Sequence, residues 1–166
     1  NPTTAGTVEA WVWVDTHADT AGIVHKGIKT DFSDEGYTLQ FMGVGYPAFG
    51  LVKQVPYATR IITSSLKLNT GKWYYLVGRW SATEGKMYLN IYYKDTRNKT
   101  KVWSSSTSYT PGDPVAYPFA DSGPLVIGSQ FMEDYGLKGF YGFDGKINGV
   151  VISTYKKADI DLRTFF

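Results

Sequence analysis

From residue 7 the chain reads T-V-E-A-W-V-W-V, and its apolar positions recur at every second residue. Val8, Ala10, Val12 and Val14 fall on one side of an extended segment, with Glu9, Trp11 and Trp13 on the other. A strand imposes this period of two, because successive side chains leave opposite faces. The same alternation predicts strands over 73–80 and 87–93, joined by a short turn at 81–86. Further strands are predicted over 37–42, 125–128 and 146–153. Most of these runs are β-branched or aromatic, and Gly, Asn, Asp, Ser or Pro separates them. The pattern predicts an all-β chain of antiparallel strands, a sandwich or barrel. Helical periodicity is nearly absent; 157–165 alone carries it, predicting a helical turn near the C-terminus.

One segment breaks the alternation. Residues 104–124, S-S-S-T-S-Y-T-P-G-D-P-V-A-Y-P-F-A-D-S-G-P, hold four of the seven prolines and read as a long loop. Loops beyond about 12–15 residues are uncommon in compact domains and are often functional. Tyr109, Tyr117 and Phe119 are rigid rings on this proline-stiffened backbone, suited to a ligand because binding them costs little entropy. The same rings would equally serve to cover the edge of a sandwich.

Composition narrows the field. A chain of 166 residues without internal repeat or composition break is expected to form one domain over 1–166, and its abrupt start at Asn1-Pro2 reads as a piece of a larger protein. Hydrophobic residues make up 43%, with 5 Trp, 13 Tyr and 9 Phe, enough to fill a core and to exclude a disordered chain. The net charge is +2, with 17 basic and 15 acidic residues interspersed, so no dense cationic stripe prepares the chain for nucleic acid. No cysteine is present, which excludes disulfides, thiolate metal sites and a cysteine nucleophile. No run of about 18 apolar residues predicts membrane insertion.

Several phrases, in order, resemble a known family. G-I-V-H-K-G at 22–27 and G-Y-T-L-Q-F at 36–41 resemble two early strands of laminin G-like domains in the concanavalin A-like lectin-glucanase superfamily. L-N-T-G-K-W-Y-Y-L at 68–76 is similar to the family's turn into a Trp-headed strand, and G-K-M-Y-L-N-I at 85–91 to its hairpin partner. P-L-V-I-G-S at 124–129 and F-D-G-K-I-N-G-V-V-I-S at 143–153 resemble the closing strands, and the tail is similar to the short helical end of bacterial members. The chain departs from the family at Asn148-Gly149, where Asp-Glu is frequent, and in a central hairpin that runs on through Tyr92-Tyr93 to a polar turn at 95–99. The resemblance implies a jelly-roll sandwich of two antiparallel sheets, concanavalin A-like. It also implies a calcium ion, with Asp144 as the leading ligand and Asp113, Asp121 and Asp134 as others. Calcium takes six to eight oxygens, so no single aspartate defines its site.

Retaining glycoside hydrolysis needs two carboxylates about 5 Å apart, and the E-x-D-x-x-E run of sandwich glucanases is missing. Asp31, Asp34 and Glu35 read as a polar turn, His17 as a solvent loop, and His25 as a structural or edge position. Catalysis is therefore not expected. The strand at 87–93 offers a different feature. Met87, Leu89, Ile91 and Tyr93 point one way, which sets Tyr88, Asn90 and Tyr92 on the other as an exposed row. The hairpin brings Arg79 near Tyr88 and Tyr75 near Tyr92. Sugars present an apolar C–H face and a hydroxyl rim, so rings can stack on the first while amide and guanidinium groups bond the second. Wet faces of strands also favour tyrosine for packing alone.

The expected function is a non-catalytic carbohydrate-binding or adhesive module, extracellular or at a cell surface. Its site combines Arg79, Tyr88, Asn90 and Tyr92 with Tyr109, Tyr117 and Phe119. A protein-interaction or structural module, as an adhesive pilin or viral fibre would carry, is the alternative class, followed by a polysaccharide hydrolase or lyase.

Overall fold

The computed structural model describes residues 4–17, 20–27, 36–53, 58–94, 99–108, 125–129 and 141–158. Ten strands run β1 (Ala5–Val14), β2 (Thr20–Lys26), β3 (Gly36–Met42), β4 (Tyr46–Lys53), β5 (Ala58–Thr63), β6 (Trp73–Ser81), β7 (Lys86–Lys94), β8 (Lys99–Ser108), β9 (Leu125–Ile127) and β10 (Gly145–Ser153). They form two five-stranded sheets, a front sheet ordered β10-β1-β6-β7-β8 and a back sheet ordered β5-β4-β3-β2-β9. Every pairing is antiparallel, and the architecture is the concanavalin A-like jelly-roll sandwich. No helix occurs among the described residues, including 157–158 of the expected helical turn; 159–165 lie outside the described residues.

All six strands expected from period two are present, each within two residues of its bounds. Period two alone did not disclose β2, β4, β5 or β8, and only the first of these was signalled by the family resemblance, at 22–27. The largest correction concerns 104–108, which belong to β8 and not to a loop. Pairing with β7 decides this: Ser106 lies opposite Tyr88 and Ser104 opposite Asn90. Ladder hydrogen bonds outweigh serine's weak strand preference.

The core lies between the sheets. Val8, Ala10, Val12 and Val14 of β1, Leu76 and Trp80 of β6, and Met87, Leu89 and Ile91 of β7 all face it, as alternation requires. From the back sheet, Ile23, Leu39, Phe49 and Leu51 meet them. The sheets approach closely at Gly78, where an added Cβ would stand 2.2 Å from a Phe49 ring carbon. At Gly149 the departure from the family pattern has a local purpose. Its φ of 57° lies where the β1–β10 register shifts between Glu9 and Trp11, so Asn148-Gly149 form a bulge that rejoins the ladder. His17, expected in solvent, packs beside Gly45 with Nε2 2.8 Å from the Leu68 carbonyl oxygen. His25 is buried on β2, between β3 and β9, and is a structural residue rather than an edge one.

Candidate functional site

The outer face of the front sheet carries the expected row, in the expected register. Arg79 of β6 lies opposite Tyr88 of β7, and Tyr75 opposite Tyr92. The expectation of an exposed row is corrected, however. Asn90 is 3% exposed, Tyr92 1% and Arg79 5%, and only Tyr88 is half-buried. Two pieces of chemistry close this face.

The first is a second apolar cluster on the outer side. Tyr75, Val77 and Tyr92 pack together with Trp11 against them. The Tyr75 ring centroid is 5.1 Å from that of Trp11 and 5.9 Å from that of Tyr92. Cross-strand aromatic pairs of this kind bury area that polar neighbours would leave wet. Tyr92 therefore belongs to packing among aromatic rings, with the Lys101 ammonium 5.7 Å from its centroid.

The second is the segment after β10, which crosses the face. The Thr7 hydroxyl donates to the Tyr155 carbonyl at 2.8 Å and accepts from the Lys157 N–H at 2.9 Å. Arg79 Nη1 donates to the Lys157 carbonyl at 2.8 Å. The Lys157 ammonium is buried against the Glu9 carboxylate, which also accepts from the Tyr75 hydroxyl. Burial, and then the neighbouring Glu9 carboxylate, push the Tyr75 phenol well above the ordinary tyrosine range, so it keeps its proton and remains a donor. Lys157 is thus a buried anchor of this segment.

Between this crossing segment and β8 lies a cleft of about 500 Å³. Arg79, Tyr88 and Asn90 form its floor, with Arg79 Nη2 donating to Asn90 Oδ1 at 2.9 Å. Ser104 and Ser106 of β8 form one wall, and both are exposed. Lys156 and Ala158 form the other, and Lys101 also lines the cleft. The Arg79 guanidinium and the Lys156 ammonium each lie 5.1 Å from the Tyr88 ring centroid, within cation–π range. Glu84 pairs with Lys156 and accepts from the Tyr88 hydroxyl at 3.2 Å. The hydrogen bond from Lys156 is the main reason its carboxyl is held below the usual range. The cleft therefore offers hydroxyl, amide and ammonium groups around one ring, a set suited to a hydroxyl-rich or acidic ligand.

The structure brings together three of the expected residues, Arg79, Tyr88 and Asn90, and assigns Tyr92 to the packed cluster. Tyr109, Tyr117 and Phe119 lie outside the described residues. Sequence reasoning missed Lys101, Ser104, Ser106 and Lys156 because 104–108 read as loop and nothing local to 101 or 156 marks a meeting with β7. The run T-K-V-W-S-S-S-T at 100–107 nevertheless held the signal, a strand-like start continued by small polar residues.

Asp144 stands just before β10, exposed, with its carboxylate accepting from the Thr16 hydroxyl. Neighbouring Asp15 donates its N–H to the Asp144 carbonyl and accepts from Trp13 Nε1. Among the described residues no group of three acidic or histidine side chains is placed to hold a metal. Asp113, Asp121 and Asp134, the other expected ligands, lie outside the described residues.

The Laminin_G_3 family model, described as concanavalin A-like lectin/glucanases superfamily, matches residues 1–159. No curated protein sequence matches the chain. Among solved structures, a candidate carbohydrate-binding protein from Bacteroides ovatus superimposes with a TM-score of 0.66 at 18% identity, covering 97% of this chain and 40% of that one. The Ruminococcus gnavus IT-sialidase CBM40, bound to α2,3 sialyllactose, does so with a TM-score of 0.64 at 11% identity, covering 96% and 80%. Domains LG4-5 of the mouse laminin alpha1 chain give 0.62 at 11%, covering 94% and 37%. The chain spans about two-fifths of the length of the Bacteroides ovatus and laminin structures. At these identities the likeness is one of fold.

Proposed function

Because this chain belongs to the concanavalin A-like lectin/glucanases superfamily, we propose that it is a non-catalytic carbohydrate-binding or adhesive module acting outside the cell or at its surface. The glycan enters the cleft between β7, β8 and the segment 154–158. One observation carries this reading: a half-buried ring, a buried amide and exposed hydroxyls converge on one open cleft. Such groups satisfy a sugar's hydroxyls while Tyr88 meets its C–H face. That solved neighbours include a CBM40 bound to sialyllactose supports the same class of ligand. Binding without turnover fits the described cleft residues, which include no carboxylate, whereas glycoside hydrolysis commonly uses a pair.

A glycan array tests the reading, run with calcium and again with a chelator. Specific binding is expected, with at least about a tenfold loss in Tyr88→Ala. Loss of binding with chelator would show that binding needs calcium, and Asp144, at the other end of β1 from Arg79, would be its leading ligand at a position apart from the cleft. A blank array under both conditions would overturn the glycan reading and favour a protein-interaction role.

A further inference from the structure

We infer that the cleft selects acidic glycans, those bearing a carboxylate or sulfate, over neutral ones; this rests on the glycan reading above and deepens it. Three of the described cleft residues are cations, Arg79, Lys101 and Lys156, and none is acidic. Glu84 pairs with Lys156 and Glu9 with Lys157, and neither carboxylate lines the cleft. Arg79 is a buried part of the floor, where its charge is less screened than at an open surface. Its two terminal nitrogens donate to Asn90 and to the Lys157 carbonyl, which fixes the cation in place, and its charge adds to the field of the cleft. The direct donors are the ammonium groups of Lys101 and Lys156 and the hydroxyls of Ser104 and Ser106.

The state of Tyr88 points the same way. A neutral sugar held mainly by stacking needs a bare aromatic face. Two cations already sit 5.1 Å from the Tyr88 centroid, so a stacking sugar competes with Lys156 for the ring. An anionic sugar relieves this conflict itself. Its charge draws Lys156 from the ring and from Glu84, and charge-assisted bonds form in their place. Carboxylate and sulfate share this chemistry.

The test is titration of the full chain with matched pairs: a uronic acid oligosaccharide against its methyl ester, a sialylated oligosaccharide against its desialylated form, and a sulfated oligosaccharide against its desulfated form. At least one acidic member is expected to bind about tenfold tighter than its neutral partner. That preference is expected to shrink as salt rises from about 0.05 to 0.3 M, where screening shortens to a few ångströms. Lys101→Gln is expected to weaken the acidic member about fivefold, and Glu84→Gln to strengthen it by releasing Lys156. The pair that responds identifies carboxylate or sulfate. Equal affinity for acidic and neutral partners, both lost in Tyr88→Ala, would overturn this inference and leave the glycan reading standing. Binding of no glycan in any pair would overturn both.

Discussion

Glu9 and Lys157 place opposite charges on the outer face of a sheet where water would ordinarily solvate them, and both are buried. Each is satisfied: the carboxylate by the ammonium and the Tyr75 hydroxyl, the backbone of Lys157 by Thr7 and Arg79. A pair of this kind adds little net stability over apolar residues, yet losing one partner strands a charge in a poor dielectric. Lys157→Met alone is therefore expected to cost about 3–5 kcal/mol in urea unfolding. Adding Glu9→Leu and Tyr75→Phe removes every stranded group and should restore most of that loss. If the single substitution proves neutral, the anchor at Lys157 is not what holds the segment to the sheet. Neither partner was legible as such in sequence. Glu9 was placed correctly on the outward side of β1, but 148 residues separate it from Lys157, and no local pattern encodes that meeting.

At the level of strands, the sandwich depends on the two sheets closing at one small residue. Gly78 lies on the inner face of β6, and Phe49 of β4 fills the place a side chain would take. The same ring lies 6.0 Å from Trp80, itself fully buried beside Gly6. Gly78→Ala is expected to destabilise by about 1–3 kcal/mol, because a methyl overlaps an aromatic ring that cannot move without shifting Trp80. Thermal unfolding checks this, and an unchanged midpoint would mean that the sheets separate more easily than their packing implies. Strands with clean alternation, β1, β6 and β7, were legible. β4, β5 and β8 were not. Tyr46–Lys53 contains Pro47 and Gly50, both turn residues by local rule. Pro47 is accommodated near the start of β4, where its carbonyl accepts the Ser64 N–H at 2.8 Å. The serines of β8 join the sheet because β7 supplies ladder partners, and half of the cleft wall was lost from view with them.

The molecule as a whole closes both faces of its front sheet, one against the back sheet and one under the terminal segment and aromatic cluster. This sets its alkaline limit. Burial pushes the Tyr37 phenol from 10.0 to about 12, and Tyr75 is raised as well. A phenol whose folded pKa is raised contributes stability that is complete below its unfolded pKa and lost as pH climbs towards the folded one. The fold is expected to hold its stability up to about pH 10 and lose it progressively from 10 towards 12. Urea midpoints across that range test this, and Tyr37→Phe should flatten the decline; a decline of the same steepness would assign it to other groups. Sequence alone determined the class of fold, the inner faces of β1, β6 and β7, and the register that sets Arg79 beside Tyr88. Those follow from nearest-neighbour geometry, the alternation of a strand and the turn that folds it back. Only the tertiary structure decided that Tyr92 and Asn90 are buried, that Lys157 is an anchor, and that Lys101, Ser104 and Lys156 complete a cleft. Exposure on a sheet's outer face depends on what distant segments lay over it, and pairwise alternation along one strand carries no record of that cover.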